Sequence, residues 1–168
     1  HAYQDHHHMG SYGARLYIAP YSDAIRPHAD PLVWREDSWY GAHMAYTLEE
    51  HGKKGILNAA QYPGWGHFGF HWIATHHNIA GMLTESASAK LATPIYIHPH
   101  QLRGASQKTM PKYEPQTNFP NPWPGGWWRL RDIVEQQKIA AWALLDICAK
   151  YREKVLWNAY LKAKRQTE

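Results

Sequence analysis

Ile79-Ala80-Gly81-Met82-Leu83-Thr84-Glu85-Ser86-Ala87-Ser88 is the stretch on which the fold turns. Residues 79–84 are apolar and few, which predicts a short buried strand rather than a helix. The strand delivers Glu85 at its end. A carboxylate there is costly unless it has a partner or a task. Ser86, Ala87 and Ser88 are small and leave room for a ligand. Ends of strands in open α/β sheets are where sites form. A structural acid, salt-bridged or set at a helix N-terminus, explains Glu85 equally well.

Upstream of this strand lies the clearest helix signal. Asp30 suits the cap and Pro31 the first helical position, where its missing N–H has no partner to lose. Val33, Trp34, Tyr40, Met44, Ala45 and Leu48 recur at helical intervals, and Gly52 stops the run. The spacing predicts a helix of about 20 residues. Residues 16–19 and 55–58 read as short strands, 70–77 as one or two helical turns, and 93–97 as a further strand. These strands and helices in alternation predict the α/β class.

Residues 103–127 hold Pro111, Pro115, Pro120, Pro122 and Pro124, and Gly125-Gly126 closes the segment. Such a run excludes regular structure, while Trp123, Trp127 and Trp128 are anchors that a free linker does not need. A long wrapping loop is expected. From Arg129 to Lys164 the pattern is helical, as one bent helix or two. Ile133, Ala140, Leu144, Ile147, Cys148, Tyr151, Val155 and Leu156 fall on one broad face.

The 168 residues are enough for one domain with a core. With 44% hydrophobic and 19% charged residues, the composition is globular. The formal charge is +4, and the basic residues cluster only between Lys150 and Arg165. There they alternate with apolar positions, so a solvated helix face is expected and a nucleic-acid partner is not. No stretch reaches the roughly 18 apolar residues of a membrane span. The single cysteine, Cys148, excludes an internal disulfide framework and reads as a buried thiol. The chain opens on His1-Ala2-Tyr3 without a methionine, from which processing or truncation is expected.

Thirteen histidines make a metal site worth seeking. If residues 6–8 form a strand, His6 and His8 share one face and His7 takes the other. Neutral imidazoles ligate zinc, and Asp5 could orient a ligating ring through its second nitrogen. Surface histidines near a chain start are the plainer reading. His76-His77 and His98-x-His100 form no His-Glu-x-x-His motif, and no His-x-x-Glu occurs in the chain. A Gly-rich phosphate loop and a Gly-x-Ser-x-Gly elbow are also lacking.

Asp5-His6-His7-His8-Met9-Gly10-Ser11-Tyr12-Gly13-Ala14-Arg15 resembles the Asp-x-His-x-Met-Gly-Ser-x-Gly-x-Arg stretch of large bacterial zinc carboxypeptidases, relatives of carboxypeptidase A. Residues 21–31, 41–44 and 77–88 resemble the same group in the same order, and residues 127–160 are similar to its C-terminal helical part. The resemblance implies the C-terminal half of a catalytic domain, with a mixed sheet flanked by helices and a long C-terminal helix or helix pair. Residues 1–168 then form a single partial domain: a catalytic half (1–102), a wrapping loop (103–128) and a helical segment (129–166). By the same resemblance His7 is a zinc ligand, Glu85 the catalytic glutamate, and Tyr62 a candidate to cover a peptide substrate. Zinc is the implied cofactor and a secreted or periplasmic location the implied setting. The family's His-x-x-Glu and its carboxylate-clamping arginines lie before the His7 position, so an N-terminal segment or partner chain must supply them. The alternative expectation is a structural protein that keeps this scaffold as a homo-oligomer, cemented by Trp65, Trp72, Trp123, Trp127 and Trp128.

Overall fold

A computed structural model describes residues 1–60, 69–104 and 112–168. In chain order its elements are β1 (Ala2–Met9), β2 (Leu16–Tyr17), α1 (Pro31–Glu50), β3 (Ile56–Leu57), α2 (Phe70–Thr75), β4 (Ala80–Ala87), β5 (Ile95–Ile97), a short 3-10 turn (Pro99–Gln101), β6 (Gly126–Trp128), α3 (Leu130–Lys150) and α4 (Arg152–Thr167). The fold is mixed α/β: a four-stranded mixed sheet, a two-stranded sheet, and helices that end in a long C-terminal pair.

The four-stranded sheet has the order β1-β4-β2-β3. Strand β4 runs parallel to β1 and antiparallel to β2, while β2 and β3 are parallel. All eight residues of β4 are buried, because both of its edges and both of its faces are covered. Its length departs from the sequence reading. Glu85 does not end the strand but lies two residues inside it, held by pairing on both sides, to His7 of β1 and Tyr17 of β2. Strand β1 is paired on one side only among the described residues, so its outer edge presents free backbone groups.

Helices α1 and α3 cover one face. Tyr40, Met44 and Leu48 of α1 and Ala140, Ala143, Leu144 and Ile147 of α3 pack against Leu16, Ile18, Ala80 and Met82. The Asp30 carboxylate accepts the Leu32 N–H at 2.8 Å, as the capping signal predicts. Helix α1 crosses the sheet so closely that a Cβ on Gly41 would lie 1.9 Å from the Ala19 carbonyl oxygen. On the opposite face α2 rests on β4, where a Cβ on Gly81 would stand 2.2 Å from the His71 carbonyl oxygen.

The wrapping segment returns over the sheet and is anchored, as its tryptophans suggested. Phe119 is fully buried against Tyr17, Leu57 and Ala60. Trp128 packs with Ala87, Ala89 and Ile97, and its Nε1–H donates to the Ala87 carbonyl at 2.7 Å. Residues 126–128, expected as loop, instead form a strand against β5. Arg15 is fully buried beneath this segment, with its guanidinium 4.6 Å from the Trp123 ring and 4.9 Å from the Trp128 ring. The C-terminal segment is two helices that meet at Tyr151. Two residues assigned to its apolar face, Tyr151 and Leu156, turn out exposed, and Gln136 and Gln137 are buried in their stead. Among the described residues no helix is long and apolar enough to cross a membrane.

Candidate functional site

Parallel pairing sets His7 beside Glu85, and directly paired residues project to the same face of a sheet. The His7 Nδ1 lies 3.0 Å from Glu85 Oε2. The two environments differ: the Glu85 side chain is 5% exposed and that of His7 is 54% exposed. The hydrogen bond to Glu85 raises the His7 pKa above its ordinary value, against a lowering by partial burial; the charges of Glu85 and Asp5 add to the rise. Asp5 was expected to orient a ligating ring, but the partner of His7 Nδ1 is Glu85.

The strand pattern places His6 and His8 as alternation requires. His6 Nδ1 meets the Gln137 Oε1 at 2.5 Å, and His8 Nδ1 meets the Ser88 hydroxyl. Gln137 organises this side of the site from α3. Its Nε2 donates to the Thr84 carbonyl (2.8 Å) and to Ser86 Oγ (2.7 Å), while its Oε1 accepts from Thr84 Oγ1 (2.8 Å). Together with His6, these bonds use both amide donors and both acceptor positions. They clamp the residues on either side of Glu85 and fix where its side chain emerges. Because Oε1 only accepts, His6 carries its proton on Nδ1. A cavity of about 320 Å³ opens beside the three histidines, walled by Ser88, Ala89, Leu130 and Ile133.

Strand β2 is too short to pair with β4 beyond Glu85. Tyr21 takes its place: its hydroxyl accepts the Leu83 N–H at 2.5 Å and donates to the Leu83 carbonyl at 2.7 Å. Burial pushes the Tyr21 phenol well above its ordinary pKa, so it remains a neutral donor and acceptor. Neither Tyr21 nor Gln137 stood out in the sequence. Gln136-Gln137 did carry a signal, two amides on the face that the helical period reserves for apolar residues. Tyr62 lies outside the described residues. Cys148 is half-buried, and burial raises its thiol pKa, which does not favour a nucleophile.

A catalytic zinc takes three protein donors. Among the described residues no three His, Cys, Asp or Glu side chains are grouped to hold a metal ion. His7 offers one imidazole and Glu85 one carboxylate, so zinc does not fit these residues by themselves. No family model matches the chain, and no curated protein or solved structure matches it either.

Proposed function

We propose that this chain carries one half of a hydrolytic centre of the zinc carboxypeptidase kind, with peptides as its substrates. The observation that carries the reading is the pairing of a buried carboxylate, Glu85, with an exposed imidazole, His7, at 3.0 Å across β1 and β4. In this reading His7 contributes one metal ligand, and a segment or partner chain beyond these residues contributes the others. The open edge of β1 is where such a segment can add a strand next to His7. Zinc, once held by a full ligand set, supplies Lewis acidity toward a carbonyl and a water. The part of this chain would be proton handling: with the metal site completed, Glu85 would hold the proton of a water and pass it to a leaving amine. Burial among Gln137-held neighbours keeps that carboxylate in one position.

The test is zinc analysis by mass spectrometry on the purified particle that contains this chain. About one zinc per chain, lost in His7→Gln, is the expected result. A particle without zinc, or with zinc unaffected by His7→Gln, overturns the assignment.

A non-catalytic assembly role has one observation in its favour. Trp142 and Leu145 of α3 and Leu156, Trp157 and Tyr160 of α4 are all more than half exposed. Of the tryptophans expected to cement copies, Trp128 is core and Trp127 is exposed, while Trp65 lies outside the described residues. Light scattering separates the readings: the assembly role requires a stable oligomer that Trp142→Ser with Trp157→Ser dissolves, and a monomer at high concentration rules it out.

A further inference from the structure

The C-terminal helix is fastened to α1 by a buried polar cluster. Lys162 is fully buried and pairs with Glu36, which is 3% exposed. Asn158 Nδ2 donates to the other oxygen of Glu36, Oε1, at 3.1 Å. A carboxylate paired with Lys162 only accepts, so the amide is fixed with its nitrogen toward Glu36 and its oxygen elsewhere. That oxygen, Asn158 Oδ1, is buried without a hydrogen-bond partner among the described residues, in a side chain of a residue only 5% exposed.

Asn158 lines a cavity of about 520 Å³ between α1 and the junction of α3 with α4. Leu32, Trp39 and Tyr151 form its walls, and the Trp39 and Tyr151 rings meet edge to face at 5.2 Å. Arg35 and Lys154 stand at the same cavity, both exposed. Neither forms an ion pair among the described residues, in contrast to Lys53, Arg131 and Lys150. The size and the apolar walls with a few placed polar groups are those of a small-molecule site. None of its lining residues belongs to the Glu85 site.

We propose that this cavity binds a small amphipathic organic anion. Its flat apolar body lies between Leu32, Trp39 and Tyr151, and its anionic group meets Arg35 and Lys154. The Glu36–Lys162 pair is neutral as a unit and sets no net charge against the anion. The proposal is independent of the hydrolytic reading, and Glu85→Gln leaves it unchanged.

Anilinonaphthalene sulfonate carries both features, an aromatic body and one anion. N-phenyl-naphthylamine keeps the rings but lacks the sulfonate. Fluorescence titration of the chain with each probe is the experiment. The expected result is saturable binding of one sulfonate probe per chain. Arg35→Gln with Lys154→Gln weakens it by about tenfold and leaves the uncharged probe within about threefold, because only the charge-assisted contacts are removed. Tyr151→Ala, at an exposed residue, weakens both probes. Sulfonate binding that is unchanged in the Arg35→Gln, Lys154→Gln chain overturns the proposal, as does binding of many probes per chain without saturation.

Discussion

His71 is 4% exposed, and its Nε2 is buried without a hydrogen-bond partner among the described residues. Burial pushes its pKa down to about 4, with a smaller upward pull from Asp5. An unfolded histidine titrates near 6.5, so between about 6.5 and 4 the unfolded chain binds the proton that the folded chain refuses. The stability due to neutral His71 is complete above pH 6.5 and is lost as pH falls toward 4. The loss amounts to about 3 kcal/mol at most. Urea unfolding at pH 7 and pH 4.5 should show a smaller decline for His71→Phe than for the unchanged chain; equal declines contradict the account. His7 has the opposite sign. Its raised pKa contributes stability below about 6.5 that disappears as pH rises through the folded value. His7 is marked in the sequence only through the resemblance and His71 by nothing, because their difference arises in the fold: His71 sits on the buried side of α2 against β4, and the open sheet edge leaves His7 in solvent.

At the scale of elements, the sequence marked α1 well. Asp30, Pro31 and the periodic apolar residues are local signals, and the helix spans Pro31–Glu50 as their spacing predicts. Strand β6 was not legible, because a Gly-Trp-Trp run after five prolines becomes a strand only through pairing with distant β5. The basic residues of α4 were read as a solvated face, which holds for Lys164 and Arg165 but not for Lys162, whose partner Glu36 lies 126 residues away. Lys162→Met strands a buried carboxylate and should cost about 3–5 kcal/mol. Denaturant unfolding measures that cost, and hydrogen exchange should rise along residues 152–167. A variant as stable as the parent shows that Glu36 does not depend on this lysine. Gly81→Ala forces a Cβ against the His71 carbonyl, and α2 must move away. The expected cost is about 1–3 kcal/mol, with the His71 pKa climbing back toward 6.5 as the ring gains water. Both are read from one denaturation and one NMR titration. A pKa still near 4 means that α2 does not shift.

For the whole molecule, the α/β class was legible from alternating element signals, and the separation of the two helical layers was not. The sheet has α1 and α3 on one face and the small α2 on the other, and the pairing of β4 with β1 sets buried Glu85 beside exposed His7. Both sequence-derived site residues in the described part, His7 and Glu85, come together although 78 positions apart. Gln137, which fixes the strand around Glu85, needed the three-dimensional arrangement to be recognised, since an amide on a helix face names no partner. What tests the central claim most directly is peptide hydrolysis by the complete particle with Glu85 or Glu85→Gln, at equal measured zinc content. The account predicts a rate lower by about 10²–10⁴ in Glu85→Gln, as befits loss of a positioned proton carrier. Equal rates contradict it.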